Sequence, residues 1–495
     1  MKLSKPESLL LILFLILCYF PIFHHLGVTP IKGWDESLFG MRMLYLYETG
    51  DYLPAFKIFQ GEVPHQNLKP PLMTFVQVLS FALIGEQDLE LSMRLPIAFC
   101  VLGTVLLLLW YSKKESGRLW WGMIAAIVLL TSEGYTRVHV GRTGDHDAAL
   151  AFFMLIGFFA FFRYLQATDK KAKNRHLFVL SLMLLLAFLT KSIVGFFFLP
   201  GFLIYAIAQR QLLPILKTPS TYMVMISLLA ILAAYYWLMD TWHPNFIKGI
   251  REHALGRYTT SLGHNHPFDF YFKRYYVSSF RIWVYLLPLG IALLFSPKLK
   301  QFKPIGQLAF YCALSYLLII SFSQTKLPWY DAPLYPLLAI LVATAIYQVF
   351  QALMVWSKKS SFFPTSSWII YAMIFLFLVP YVRIVTQFTH FKLTGDDEQF
   401  AYMMKRIEKN RASEDYYICA SGQYPQLSFY TGYYNKIKDY QLEIVKDAEG
   451  LAVNDEVMFC QNSRKQLLEE NFEYEILEQY GKRCQFVRLI ARRDE

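Results

Sequence analysis

The chain has 495 residues, of which 55% are hydrophobic and only 17% charged, and its repeated apolar runs of about 18 to 22 residues can each cross a hydrocarbon core of about 30 Å. This excludes a secreted soluble protein and indicates a polytopic α-helical membrane protein. The formal charge of +11 does not point to nucleic acid, because the lysines and arginines collect in short loops between apolar runs, which is the positive-inside pattern of cytoplasmic loops.

The first run, Leu9 to Phe23, leads to Gly33-Trp34 rather than to a small-x-small cleavage site, so it is expected to stay as an uncleaved span. With the basic loops around Lys113/Lys114, Lys170/Lys171, Arg210/Lys217, Lys298/Lys303 and Lys358/Lys359 placed in the cytoplasm, spans are expected near 8–26, 93–111, 119–137, 146–165, 176–190, 193–209, 220–240, 280–296, 305–322, 329–350 and 366–386. Eleven crossings put the tail outside, and the total is set at about 11–13 spans. Segment 27–92 then forms the first outer loop. Within it, Leu72 to Ile84 is apolar but, at about thirteen residues, short for a span. It is expected to be an interfacial or re-entrant helix.

From about residue 390 charge becomes frequent, and β-rich runs such as "DYYICAS", "EVMFC" and "FVRLI" alternate with helical stretches such as "DDEQFAYMMKRIEKN". Residues 390–495 are therefore expected to form a small extracytoplasmic α/β domain after a transmembrane domain over 1–389. Cys18, Cys100 and Cys312 lie in apolar spans, whereas Cys419, Cys460 and Cys484 lie in the tail. The tail permits one disulfide, for which Cys460–Cys484 is the choice in an oxidising compartment. No CxxC spacing suggests a zinc ribbon.

The sequence contains no GxGxxG, Walker A or HExxH motif. Ionisable residues gather instead on one expected rim: Asp35, Glu36 and Arg42 in "GWDESLFGMR"; Lys69 in "LKPPL"; Arg94; Arg142, Asp145, His146 and Asp147 in "GRTGDHDAAL"; His264 and His266 in "GHNHPFDFY"; and Lys326 and Tyr330 in "TKLPWY". If 35–48 is helical, Asp35 and Arg42 share a face roughly 10 Å apart along the axis. Each residue also has a plain structural explanation. Asp35 and one of Asp145 and Asp147 suit helix N-caps, Glu36 suits a solvated first turn, and the basic groups could snorkel. His264 and His266 could be ordinary loop residues, and Lys191 fits an interfacial position in a two-residue turn. "DHD" matches a D-x-D metal motif, so a divalent metal is admitted but no cofactor is certain, because two carboxylates alone are few ligands for a hard cation.

The ordered set of "DE" (Asp35, Glu36), "KPPL" (Lys69 to Leu72), "RLP" (Arg94 to Pro96), Arg142 with Asp147 and Leu150, "LTK" (Leu189 to Lys191), His264 with Pro267 and Phe268, and "KLP-x-Y" (Lys326 to Tyr330) resembles the GT-C superfamily of membrane glycosyltransferases. The resemblance is to the branch with the protein O-mannosyltransferases and the lipid A aminoarabinose transferase. It covers about residues 1 to 350 and implies a GT-C-like fold. It further implies transfer of a sugar from a polyprenyl phosphate carrier to an acceptor (lipid A, protein or an envelope glycan) on the outer face of the inner membrane. By the same resemblance Asp35 corresponds to the catalytic aspartate, with Glu36 and Asp147 as further catalytic candidates. Lys69, with Arg42, Arg142 and Lys326, would bind the donor phosphate, and Asp145, His264, His266 and Tyr330 would complete the site. Two positions depart from the aminoarabinose enzymes: Leu68 stands where they have an acid and Leu38 where they have an arginine, which Arg42 could replace one turn on. The competing reading is a transporter or flippase of polyprenyl-linked glycan, which predicts charges within spans and repeat symmetry between halves; the sequence shows neither.

Overall fold

The computed structural model describes residues 4–51, 55–56, 65–66, 68–85, 87–252, 256–260, 263–297, 299, 301–359, 367–389, 396–410, 414–422, 424–481 and 483–493. Among them, eight helices are long and apolar enough to cross a membrane, or nine if the bent pair Phe270–Ser279 and Arg281–Phe295 counts as one span. The chain is a multi-pass membrane protein. Helix α1 (Lys5–Ile22) is followed by α2 (Asp35–Thr49), then a minimal ladder of β1 (Ala55–Phe56) with β2 (His65–Gln66), α3 (Leu72–Ile84), α4 (Leu89–Ser116), α5 (Trp120–Leu130), α6 (Glu133–Thr136), α7 (Asp147–Gln166) and α8 (Lys170–Lys191).

Two expected spans are shorter than the sequence suggests. For 119–137 the structure has α5, of eleven residues, which ends where the Thr131 and Ser132 hydroxyls turn back onto the Ile127 and Val128 carbonyls. Hydroxyls that bond back in this way compete with continuation of the ladder. For 193–209 a 3-10 turn over Ser192–Phe196 precedes a ten-residue helix, Leu199–Ala208. The break falls at Ser192, whose φ of 55° lies in the left-handed region, and Pro200 sits in the first turn of the new helix, where its missing N–H costs nothing. In the expected 280–296 span, the helical segment Arg281–Phe295 is set at 120° to the preceding Phe270–Ser279 across a break at Phe280. Leu72 to Ile84 is a thirteen-residue helix with Phe75, Leu79 and Leu83 exposed on one side and Met73, Gln77 and Phe81 buried on the other.

The C-terminal region carries a five-stranded sheet of order β4-β3-β5-β7-β6, built from β3 (Asp415–Cys419), β4 (Gln441–Val445), β5 (Glu456–Phe459), β6 (Phe472–Tyr480) and β7 (Cys484–Arg492). The three strands β4, β3 and β5 are parallel, and the β7–β6 hairpin adds antiparallel to β5. Cys460 and Cys484, at the paired ends of β5 and β7, form a disulfide. One core cluster runs from this region into the segment that follows α1: Phe39, Met43 and Leu44 of α2, Phe81 of α3 and Met93 of α4 pack with Phe400, Phe429, Tyr430 and Tyr433.

Candidate active site

The site is assembled around one buried ion pair. Arg94, 1% exposed, sends Nε and Nη2 to the two oxygens of Glu36 at 2.7 and 3.0 Å, and its remaining N–H groups to the carbonyls of Leu26, Thr29 and Pro30. Glu36 also accepts the backbone N–H groups of Lys32 and Gly144, each at 2.6 Å. A single carboxylate thus ties the loop after α1, the start of α2, helix α4 and the 137–146 loop together. Burial pushes Glu36 up, but the Arg94 guanidinium and these hydrogen bonds outweigh it and hold the carboxyl below its usual range.

With that knot fixed, the first turn of α2 faces a cavity of about 340 Å³. Trp34, at φ 61°, turns the chain into the helix. Asp35, Phe39 and Arg42 then point to the cavity on one helical face, because positions four and seven residues on lie near the first. Lys69 enters just before α3, Asp147 from the start of α7, and Lys191 from the end of α8. Arg257 comes from the four-residue helix Gly256–Thr259 and Tyr330 from the segment after Lys326, with the Arg257 guanidinium donating to the Tyr330 hydroxyl. Trp34, Tyr258, Trp329 and Tyr330 add aromatic wall. Four cationic side chains therefore line the cavity against two carboxylates, which favours an anionic ligand.

The two carboxylates differ. Asp147 is paired with Lys191 at 2.5 Å. Burial raises Asp35, but the surrounding Lys69, Lys191, His139 and Arg257 charges outweigh it and hold the carboxyl below its ordinary value. Lys69 is brought down to about 7 by burial and by the neighbouring Lys191 and Arg257 cations, against the pull of Asp35. His139 is opposed by burial, yet the adjacent Asp145, 3.1 Å away, raises it.

The expected D-x-D pair is divided. Asp147 turns to Lys191 and the cavity, while Asp145 turns to His139 and the Thr143 hydroxyl. The ligand atoms that lie together are instead those of Asp35, His139 and Asp145, all within 4.8 Å of one another. Two carboxylates and an imidazole are a donor set that suits zinc or manganese, and a metal there would compete with the proton that Asp145 keeps on His139.

Among the expected site residues, Asp35, Arg42, Lys69, Asp147 and Tyr330 line the cavity. The others lie behind or beside it. Glu36 is in the Arg94 knot. Arg142 donates to the Pro21 and His24 carbonyls, closing the C-terminal end of α1, and stacks on Phe388. Lys326 Nζ donates to the carbonyls of His266 and Ser323, at 2.9 and 2.5 Å. The His264 carbonyl receives the Lys326 N–H, and the His266 ring stacks on Phe270. Lys191, expected at the interface, is a cavity residue, and Arg257 joins it without having been singled out. For Lys191 the available signal was the "LTK" element at a span end. For Arg257 it was only a basic residue in an outer loop.

The architecture is a GT-C-like fold, a helical membrane body with a small C-terminal sheet region. Its particular likeness is to ArnT from Cupriavidus metallidurans. The structure of that protein bound to undecaprenyl phosphate matches with a TM-score of 0.67 at 17% identity, over 96% of this chain and 97% of that one. The apo oligosaccharyltransferase of Archaeoglobus fulgidus matches with a TM-score of 0.55 at 10% identity, over 88% of this chain and 64% of that one. The oligosaccharyltransferase AglB of the same organism, in complex with an inhibitory peptide and a dolichol-phosphate, gives 0.51 at 8% identity over the same shares. Residues 68–237 match the family model described as dolichyl-phosphate-mannose-protein mannosyltransferase. No curated protein sequence matches the chain.

Proposed function

We propose that this chain transfers a sugar from a polyprenyl phosphate carrier to an acceptor on the outer face of the membrane, with inversion at the anomeric carbon. The observation that carries the reading is the cavity in which Asp35 faces Lys69, Arg42, Lys191 and Arg257 at the ends of apolar helices. The Asp35 carboxylate takes the proton of an acceptor hydroxyl as its oxygen bonds to the anomeric carbon. The bond from that carbon to the phosphate oxygen breaks, and the electron pair leaves on the phosphate, beside the cations. Such placed charges usually supply the largest part of catalysis in group transfer. Asp147 holds Lys191 toward the leaving phosphate, while Glu36, Asp145, Arg142 and Lys326 fix the loops that carry the reacting groups. His264 and His266 brace the Lys326 loop. The likeness to a structure bound to undecaprenyl phosphate supports the donor class. The basic inter-span loops, which follow the positive-inside pattern, support an extracytoplasmic site and C-terminal region. A metal at Asp35, His139 and Asp145 would supply Lewis acidity beside the base.

The test is donor choice. Purified protein in detergent is expected to consume a polyprenyl-phosphate sugar and to ignore nucleotide sugars; turnover of a nucleotide sugar without added carrier would sink the reading. A second expectation concerns pH. Lys69 loses its proton near 7, so it offers a full charge to phosphate below that pH and progressively less above it. Affinity for polyprenyl phosphate should weaken as pH rises past neutrality, by at most about tenfold per unit, and Lys69→Arg should flatten the profile. Lys69→Ala should cost about 1.5–3 kcal/mol of binding at pH 6, the usual worth of a hydrogen bond to a charged group. A Kd left unchanged by Lys69→Ala at pH 6, measured by calorimetry, would remove Lys69 from the phosphate site.

A further inference from the structure

Helix α2 is gripped from behind by the C-terminal region. Gly40 lies about 140° around the helix from Asp35, taking 100° per residue, and so faces away from the cavity. A Cβ at Gly40 would come within 2.5 Å of Phe429 Cε2, 2.8 Å of Cδ2 and 3.1 Å of Met93 Sδ. Phe429 is itself fully buried. The ring therefore rests directly on the α2 backbone, an approach that only glycine permits.

The same helix, Pro425–Ile437, also holds the chain just ahead of Asp35. The Tyr430 hydroxyl accepts the Ile31 N–H at 2.9 Å and donates to the Glu90 carboxylate, and the Gln426 amide donates to the Ile31 carbonyl. Both backbone groups of one residue, four positions before the proposed base, are thus satisfied from the C-terminal region. Glu90 is in turn held by Lys405 at 2.5 Å, one helix turn of α4 away from Arg94. Buried contacts that pair both backbone groups of Ile31 favour one geometry over a range of them.

We propose that the Pro425–Ile437 helix is a positioning element for α2. Its Phe429–Gly40 contact and its clasp on Ile31 set the height and rotation at which Asp35, Phe39 and Arg42 meet the cavity. The C-terminal region is then part of the catalytic assembly and not a separate binding module. This rests on Asp35 acting as the base. Lys69, Lys191 and Arg257, the other phosphate candidates, lie off α2, so displacement of the helix should damage turnover more than donor binding.

The test is Gly40→Ala in the full-length protein, whose methyl has to push α2 and the ring apart. A displacement of about 1 Å at a reacting group can cost about 10²-fold in rate. We expect kcat to fall about 10- to 100-fold with the donor KM within about twofold of wild type, and amide exchange over residues 36–46 to quicken. Phe429→Leu, added to Gly40→Ala, makes room for the methyl and should restore both kcat and exchange toward wild type. If Gly40→Ala does not yield folded protein, Tyr430→Phe, which removes the acceptor for the Ile31 N–H, should show the same split at smaller size. Wild-type kcat and exchange in Gly40→Ala, or parallel losses in kcat and donor affinity without rescue, would overturn the proposal. If the wild-type protein transfers sugar from no polyprenyl-linked donor, the catalytic reading fails, and exchange in the two variants still decides whether the helix positions α2.

Discussion

Asp35→Asn should lower sugar transfer by at least about 10²-fold, the low end of what a positioned general base contributes, while expression and membrane insertion stay as in the wild type. The amide keeps the size of the carboxylate, and no side-chain cap is lost because Trp34 is the N-cap of α2 and makes none, so a loss through misfolding is not expected. It cannot, however, take a proton from an acceptor hydroxyl. The same substitution removes one of the two negative charges on the cavity wall and leaves Lys69, Lys191, Arg42 and Arg257 in place. Affinity for polyprenyl phosphate should therefore be unchanged or tighter, which separates a lost base from a lost binding site. Because the surrounding cations hold Asp35 below the ordinary carboxylate range, the base is already ionised wherever an ordinary carboxylate is. The wild-type rate should show no acidic limb from this group at or above the ordinary carboxylate range. Near-normal turnover in Asp35→Asn, measured with saturating donor, would take the base role away from it.

The sequence was most legible where periodicity and solvent leave a strong mark. Apolar runs, basic loops and the composition change near residue 390 anticipated the helical body and the C-terminal sheet, and seven-residue spacing anticipated that Asp35 and Arg42 share the cavity face. The pairing of Cys460 with Cys484 was also anticipated. Less legible was anything that depends on how helix ends meet. The short helices Trp120–Leu130 and Leu199–Ala208 are as apolar as full spans, and only hydroxyl back-bonds and a left-handed Ser192 end or break them. Lys191 was assigned to the interface because it sits in a two-residue turn at a span end. The partner, Asp147, is 44 residues away in sequence and faces it at 2.5 Å. "DHD" looked like a unit, yet its two acids face different neighbours because Asp147 begins α7 while Asp145 still belongs to the preceding loop. Glu36 was read either as a catalytic candidate or as a solvated acid of a first turn, and it is fully buried. Its role depends on Arg94, which the sequence placed on the rim without a partner.

That pair carries the largest expected effect on stability. Arg94→Ala should destabilise the protein by about 3–5 kcal/mol, as removal of one member of a buried pair does when the other charge stays behind. Arg94 makes two bonds to Glu36 and at least one each to the carbonyls of Leu26, Thr29 and Pro30, so three backbone acceptors lose their donor with the charge. Glu36 would keep only the N–H groups of Lys32 and Gly144. Lysine should rescue little, because an ammonium cannot reproduce the planar fork that reaches five acceptor groups at once. Glu36→Gln should cost less than Arg94→Ala, since the amide keeps an oxygen for one of those N–H groups. Arg94→Met combined with Glu36→Leu should cost less than the sum of its two single changes, because no buried charge is then left unpaired. Thermal unfolding in detergent compares the four proteins directly. Additive losses in the double variant would mean that the two side chains stabilise the fold separately, and that the loop after α1 is held against α2 by something other than their shared charge.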